Sequence, residues 1–516
     1  MTAPAPAFVT AESSAGVPAV AAERRVPHWL LAAVAGLMLV SAGLAAVRLG
    51  WRSMWFDESF SLFLARADWS QFWETVWRSE LNMVAYYLVL RGWTVLFGTT
   101  EIALRALSTL FAVATVPVVA LVGRRLFGNR AALIAATLFA THGSVVRYAQ
   151  EVRAYTMATF LVALAALSLV VAVQETVAEN SRRARTAWFG FALGSVLAVY
   201  AHFVAALAIA SLAISVFALP WRLLRWRNLA PALGLLGALL LPLAVFLPRA
   251  PSDRIEWVGE QSAGAFARSV FFVTGDASML LRNTVLGIAV VLALSFARRL
   301  RLRGRGVETW SLVLPFTWAV VPLLLALLIS LVQPLLVPRY LIVSVPGVCL
   351  GIAAALRLVW GRWTLAALTI LVVVMQSIAF PRIYTEPQPE AWQALAETVV
   401  ERADPDDGLV VVPGWQRPTL EYYLAVHPGT RRSPADLVAP VSPPDAWGAQ
   451  EFYGGDPRLV TDEDAEAFPT LWVVADGGDP IMPERADQNA AVEERWRLSL
   501  EMEFGDLTLR RYERRS

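Results

Sequence analysis

Long apolar runs separated by short arginine-bearing loops fill the first 380 residues of the chain. About eleven runs can be drawn, at 29–47, 102–122, 131–146, 156–173, 187–201, 203–219, 229–247, 284–297, 312–332, 340–356 and 363–380. Many carry no charge and approach the roughly 20 residues that a helix needs to cross about 30 Å of hydrocarbon. The pattern predicts a polytopic α-helical membrane protein of about 11 transmembrane helices. Several runs are shorter than ideal, which is tolerable where neighbouring helices cover polar backbone. No internal repeat suggests the inverted halves of many transporters.

Alternate loops hold the arginines: Arg24/Arg25, Arg124/Arg125/Arg130, Arg182/Arg183/Arg185, Arg222/Arg225/Arg227, Arg298 to Arg305, and Arg357/Arg362. By the positive-inside rule these loops are cytoplasmic. The loops at 48–101, 147–155, the 201–203 junction, 248–283, 333–339 and everything after 381 then face outward. Leu81–Phe97 challenges this parity, because counting it as a span would reverse every later loop. Arg91 in its middle would cost about 2.5–3.5 kcal/mol on insertion scales. The stretch is therefore expected at the outer interface or re-entrant. The aromatic-rich segment before it, from Phe60 to Trp77, is expected as an interfacial helix.

After Pro381 charge, Pro and Gly rise and no further apolar run appears. Ala391–Val400 reads as a helix. Leu409–Val412 and Leu471–Val474 read as short buried strands, and Trp496–Arg511 as strand around a Gly-Asp turn. About 130 residues suffice for a small α/β domain. The expected organisation is a disordered cytoplasmic N-terminus (1–28), a transmembrane catalytic domain (29–383, with interfacial helices in its outer loop 48–101) and an extracytoplasmic α/β domain (384–516).

Composition agrees with a membrane protein: 57% of residues are hydrophobic. The net charge of +2 predicts no nucleic-acid partner. Every basic residue is Arg, which with the abundance of Ala suggests a GC-rich, actinobacterial-type coding sequence. Cys349 is the one cysteine. It permits no intrachain disulfide and belongs to no zinc-binding spacing.

Four groups of residues can carry chemistry on the outward side. Asp57-Glu58 sit about ten residues after the first run, where a carboxylate can remove a proton from an attacking hydroxyl; the bland alternative is solvated loop charge. Arg147-Tyr148-Ala149-Gln150-Glu151-Val152-Arg153-Ala154-Tyr155 places cations and a carboxylate between apolar runs, where charge is functional by default. Its alternative is a structural Arg–Glu pair. His202 lies at the junction of two runs and suits a metal, a proton transfer or a plain hydrogen bond. His142, inside a run, is weaker still. Arg339-Tyr340 stand at an outer end, where a guanidinium suits a lipid phosphate or simply snorkels.

The stretch Trp55–Tyr155 resembles the GT-C membrane glycosyltransferases, in the protein O-mannosyltransferase and aminoarabinose-transferase branch. The resemblance lies in Asp57-Glu58 of the first outward loop, in Tyr86-Tyr87-Leu88 through Leu96-Phe97-Gly98, in Ala103-Leu104-Arg105, in Gly123-Arg124-Arg125-Leu126-Phe127-Gly128 and in Tyr148–Tyr155. Tyr200-Ala201-His202-Phe203, Arg339-Tyr340, and Pro389-Glu390-Ala391-Trp392 with Glu421-Tyr422-Tyr423 fit more loosely. Many relatives have His-Pro-Pro before the paired tyrosines; here the residues are Asn82-Met83-Val84-Ala85.

The resemblance implies an inverting glycosyltransferase that moves a sugar, mannose or arabinose-like, from a polyprenyl-phosphate donor to a cell-envelope glycan, lipid or protein. It implies Asp57 as base, with Glu58 and Glu151 as further acidic site residues. It implies Arg153, Arg339 and Tyr340 at the carrier phosphate, and His202 as its neighbour or a metal's. A divalent cation, Mg or Mn, is left open. The implied location is the bacterial plasma membrane, with the active site extracytoplasmic. A lipid or solute transporter and a non-catalytic envelope scaffold are the competing classes.

Overall fold

The computed structural model describes residues 25–246, 262–275, 304–356, 361–386, 390–404, 406–412, 416–426, 468–476 and 496–515, with scattered positions between 282 and 302. In chain order, helix α1 (His28–Ala46) is followed by α2 (Phe56–Arg66), α3 (Trp69–Thr75), a π-helical turn (Val76–Glu80), a 3-10 turn (Leu81–Met83) and α4 (Val84–Phe97). Then come α5 (Glu101–Phe127), α6 (Asn129–Ala140), α7 (Gly143–Tyr148), α8 (Tyr155–Val177), α9 (Ser181–Ala201), α10 (Ala205–Ser215), α11 (Trp226–Phe246) and α12 (Ala263–Val273). Helix α13 (Val307–Ile329), a 3-10 segment (Pro338–Ser344) running into α14 (Val345–Leu356), α15 (Arg362–Ser377) and α16 (Phe380–Thr385) complete the helical body.

Among the described residues, eight helical segments are long and apolar enough to cross a membrane: α1, α5, α8, α9, α11, α13, Pro338–Leu356 and Arg362–Thr385. Three shorter apolar helices, α6, Ala205–Ala218 and α12, pack among or beside them. The chain is thus a polytopic helical membrane protein, with long spans that number eight where about eleven runs were expected. The run 131–146 is broken at Thr141-His142. There Thr141 Oγ1 donates to Gln376 Oε1 at 3.1 Å, and a His142 ring nitrogen meets Val273 O at 3.3 Å. The Cβ of any residue replacing Gly143 would lie 2.6 Å from Gly275 O, so only glycine lets α7 start there. The run 284–297 and the N-terminal residues 1–24 lie mostly or wholly outside the described residues. Helix α12 falls in what was read as an outward loop.

Helix α4 is not one of the spanning or shorter apolar helices. At 14 residues it is too short to cross the hydrocarbon, and Arg91 sits near its middle. Its Nη1 donates to Ala67 O at 2.5 Å, and its guanidinium stacks 4.0 Å from the Trp69 ring centroid. The charge is thus satisfied by α2, α3 and their linker, and the aromatic segment forms one packed unit with α4.

The long helices give the bundle two chemically distinct ends. At one, Arg124 donates to Arg25 O at 2.9 Å, Arg125 to Gln174 Oε1 at 2.9 Å, and Arg225 pairs with Glu179 at 3.3 Å. Gly306 N meets Ala218 O at that same end. The other end gathers residues 44–58, 99–105, 147–155, 202–203, 339–340 and 384. There Tyr384 Oη donates to Leu44 O at 2.7 Å, Gln150 Nε2 to Val47 O at 2.7 Å, and Phe203 N to Asn82 O at 3.1 Å.

The last part of the chain carries α17 (Trp392–Arg402), β1 (Gly408–Val412), α18 (Arg417–Val426), β2 (Thr470–Asp476), β3 (Trp496–Phe504) and β4 (Leu507–Arg514). The strands form one mixed sheet in the order β1-β2-β4-β3, with β1 parallel to β2 and the other pairs antiparallel. The β3–β4 hairpin turns at Gly505, whose φ of +68° favours glycine. This part docks on the second end of the bundle. Gln393 N donates to Ser53 Oγ at 3.2 Å, Tyr422 Oη to Thr99 O at 3.1 Å, and Met54 N to Tyr423 Oη at 2.6 Å. Tyr423 Oη in turn bonds Glu101.

Candidate functional site

Helix α2 begins at Trp55, whose extended backbone turns the chain out of the loop. Asp57 and Glu58 occupy its first turn, where the helix dipole favours negative charge. They face different ways. Glu58 is fully buried and gripped by Arg105 through two parallel bonds, Nε to Oε1 and Nη2 to Oε2, each 3.1 Å. Its Oε1 also accepts from Val152 N at 2.8 Å. Arg105 spends its other donors on Leu49 O and Arg52 O, both 3.0 Å, and on Ser53 O at 3.4 Å. This charge pair joins three elements, and both partners are saturated.

Asp57 keeps about a quarter of its side-chain surface open and pairs with Arg153, Oδ2 to Nη2, at 3.5 Å. Arg153 is held in place by Asp57 O at 3.2 Å and Ser61 Oγ at 3.4 Å. Ser61 Oγ itself donates to Asp57 O at 2.7 Å. The carboxylate therefore stands on a fixed backbone beside a fixed cation.

Arg153 belongs to the short loop between α7 and α8, which also carries Glu151. That carboxyl is buried and pairs with Arg147 at 2.9 Å through Oε1. Burial pushes its pKa up, while Arg147 pulls the other way. Its Oε2 is buried with no hydrogen-bond partner among the described residues.

Arg339 stacks 5.3 Å from the Trp55 ring centroid, directly before α2. It and Tyr340 enter from the 3-10 segment ahead of α14. The imidazole of His202 lies 5.3 Å from both the Tyr155 and Tyr340 rings and is stacked on Phe203. Burial first, then Arg153 and Arg339, push its pKa down to about 3. His202 is therefore neutral at physiological pH, and its Nδ1 accepts from Val204 N at 3.3 Å.

All the residues expected at the site come together at one end of the bundle: Asp57, Glu58, Glu151, Arg153, Arg339, Tyr340 and His202. Arg52 and Arg105 were missed. Arg52 lies in the same interhelical segment as Asp57, beside Trp51, and that position was its only signal. Arg105 is one of the residues that carried the family resemblance, but nothing local in the sequence marked it as the partner of Glu58. Among the described residues no three His, Cys, Asp or Glu side chains converge as a metal-ligand set. With Glu58 and Arg105 neutralising each other, three acids (Asp57, Glu151 and Glu80, which acts on Arg153) face four guanidinium groups (Arg52, Arg147, Arg153, Arg339). The excess charge is positive and belongs to planar, multiply donating groups, which favour oxyanions.

Residues 83–250 match the family model described as dolichyl-phosphate-mannose-protein mannosyltransferase. The structure is similar to that of ArnT from Cupriavidus metallidurans, both in the apo state and bound to undecaprenyl phosphate. Each comparison has a TM-score of 0.56 at 14% identity and covers 94% of this chain, with 97% and 98% of the two ArnT chains. It is also similar to the Archaeoglobus fulgidus oligosaccharyltransferase in its complex with Zn and sulfate, at a TM-score of 0.51 and 15% identity, over 86% of this chain and 68% of that one. At such identities these likenesses establish the fold. No curated protein matches the chain.

Proposed function

We propose, from the premise that this chain is a membrane glycosyltransferase of the GT-C type, that it carries a mannose- or arabinose-like sugar from a polyprenyl phosphate to a hydroxyl of a cell-envelope glycan, lipid or protein. The family description and the undecaprenyl phosphate bound by ArnT support the donor class. The acceptor hydroxyl attacks the anomeric carbon while Asp57 takes its proton. The bond from that carbon to the phosphate oxygen breaks, its electron pair leaves with the lipid phosphate, and the anomeric configuration inverts. The phosphate changes from a singly charged diester to a monoester of higher charge as the bond breaks. Arg153 and Arg339 hold this growing charge, so their interaction is stronger in the transition state than in the ground state. Tyr340 packs beside Arg339 and against neutral His202, and Glu58 positions Asp57 by fixing the first turn of α2 to α5.

The observation that carries this reading is Asp57 on a fixed backbone 3.5 Å from Arg153, at a bundle end with surplus guanidinium. The arginine distribution supports an orientation in which this end faces away from the cytoplasm, with transfer at the outer face of a bacterial plasma membrane. Membranes supplied with a labelled polyprenyl-phosphate sugar test the assignment. Asp57→Asn is expected to lower transfer by about 10²–10⁴-fold, the usual contribution of a general base, with insertion intact. Transfer near the unaltered rate would remove Asp57 from the role.

A further inference from the structure

The end of the bundle remote from Asp57 has a surface that the transfer reaction does not use. Between α10 and α11 the chain runs as a strap, 216–226, with one 3-10 turn at Val216–Ala218 and another at Trp221–Leu223. Three apolar segments meet at it: Ala205–Ala218 ends there, the span α11 starts at Trp226, and the span α13 starts at Val307. Gly306 N donates to Ala218 O at 3.2 Å, which ties the entrance of α13 to the strap. Thr309 Oγ1 closes the same turn on Gly304 O at 3.2 Å. Arg225 joins the strap to the α8–α9 turn through Glu179 at 3.3 Å. A strap at the ends of apolar segments lies at the depth of lipid headgroups.

Two kinds of side chain stand out from it. Phe217, Trp221 and Trp226 are each more than half exposed, and Phe217 meets Trp221 edge to face with centroids 5.9 Å apart. Arg222, Arg225, Arg227 and Arg305 are exposed among them. The Arg305 guanidinium carbon lies 5.3 Å from the Trp221 ring centroid. The ring holds one face of the cation, and the N–H edge remains for an oxyanion. The strap itself carries no acid. Its neighbours supply Glu179, which Arg225 takes, and Glu308 in the first turn of α13, so the surface stays positive. Membrane sidedness needs only arginine. Aromatic rings set among the arginines, on loops bonded to one another, suit a molecule with an apolar part and an anionic part.

We propose that the strap binds an anionic phospholipid of the adjoining leaflet. The lipid phosphate sits against Arg305 and Arg222, and its glycerol and first methylenes lie along Trp221 and Phe217. A zwitterionic lipid brings its own cation with the phosphate and gains less from the arginines. The contact fastens the entrances of α11 and α13 and needs no sugar donor.

Native mass spectrometry of the full-length protein in detergent, titrated with phosphatidylglycerol or phosphatidylcholine, tests it. Phosphatidylglycerol is expected to bind more tightly, and its hold to weaken as ionic strength rises. Arg305→Gln and Arg222→Gln are each expected to weaken it by about five-fold, and together by about 25-fold, the worth of one arginine apiece at an anionic surface. Trp221→Ala costs about two- to five-fold, and Trp221→Phe restores most of that. Arg130→Gln, exposed at the same end but on α6, leaves the affinity unchanged. The substituted side chains are exposed, so thermal unfolding is expected to be unaltered; should the double variant unfold, the single variants carry the same readout. Equal affinity for the two lipids, unchanged affinity in the Arg305 and Arg222 variants, or an equal loss in Arg130→Gln overturns the proposal. Displacement of phosphatidylglycerol by inorganic phosphate at the lipid's own concentration also overturns it, because the surface would then be a free-anion site. No transfer is measured, so the outcome is independent of whether Asp57 is the base.

Discussion

Asp57 and Glu58 are neighbours with opposite surroundings, and the difference sorts their roles. Asp57 is partly open beside a single cation; Glu58 is sealed beneath Arg105 and Val152 N. Arg105→Met would leave the Glu58 carboxylate buried and uncompensated. It is expected to destabilise the protein by about 3–5 kcal/mol, read as a fall in thermal unfolding temperature. Glu58→Leu with Arg105→Met should recover much of that loss while still impairing transfer, because α2 loses its anchor.

His202 gives a pH signature. Its pKa falls from an ordinary 6.5 to about 3 on folding, so between those values the unfolded chain binds the proton and the folded one does not. Its contribution to stability is therefore present above about 6.5 and is lost as pH falls toward 3. In His202→Asn, thermal unfolding measured between pH 7 and pH 4 should show a shallower acid decline than in the unaltered protein.

Much at this scale was legible. Acids and arginines next to apolar runs are conspicuous because hydrocarbon penalises them. Arg105 as the partner of Glu58 was not, since that pairing is 47 residues long in sequence and exists only once α2 and α5 are packed. Arg52 had no local sign of burial.

Among elements, α18 has a reach that its position late in the chain conceals. Tyr423 on this helix accepts from Met54 N and bonds Glu101, spanning the residues just before α2 and the first turn of α5. Tyr423→Phe strips both groups of a buried partner. A loss of about 1–3 kcal/mol is expected, together with a lower kcat for transfer at nearly unchanged donor KM. Thermal unfolding and steady-state transfer assays measure the two effects; wild-type kcat in a destabilised variant would limit Tyr423 to holding the fold.

Most helices and strands followed from periodicity and from Gly, Pro and Asp punctuation. The break between α6 and α7 did not, because His142 and Thr141 interrupt the run through partners on α12 and α15. The close crossing of α13 and α14 at Gly347, where an added Cβ would come within 2.7 Å of Ala319 N, is likewise a property of packing.

For the whole molecule, the segregation of arginine loops from the acid-bearing loops is the feature that sequence displayed best. Eleven apolar runs and their charges sufficed to collect Asp57, Glu151, His202 and Arg339 at one end. The sidedness of that end is testable on a Cys349→Ser background. Thr100→Cys at the site end and Arg182→Cys at the arginine end are both exposed positions. A membrane-impermeant maleimide added to intact cells is expected to label Thr100→Cys alone. Labelling of Arg182→Cys alone would invert the orientation.

Helix α5 has 27 residues, or about 40 Å of helix, against a hydrocarbon thickness of about 30 Å. Its charged ends reach headgroup depth, and such a helix follows the thickness of the surrounding lipid by changing its tilt. Arg105 rides near its first turn and grips the loop that leads into α2 and Asp57. Shorter or longer acyl chains would therefore shift Asp57, the proposed base, without touching it, and transfer rates in vesicles of graded acyl length are expected to vary with thickness.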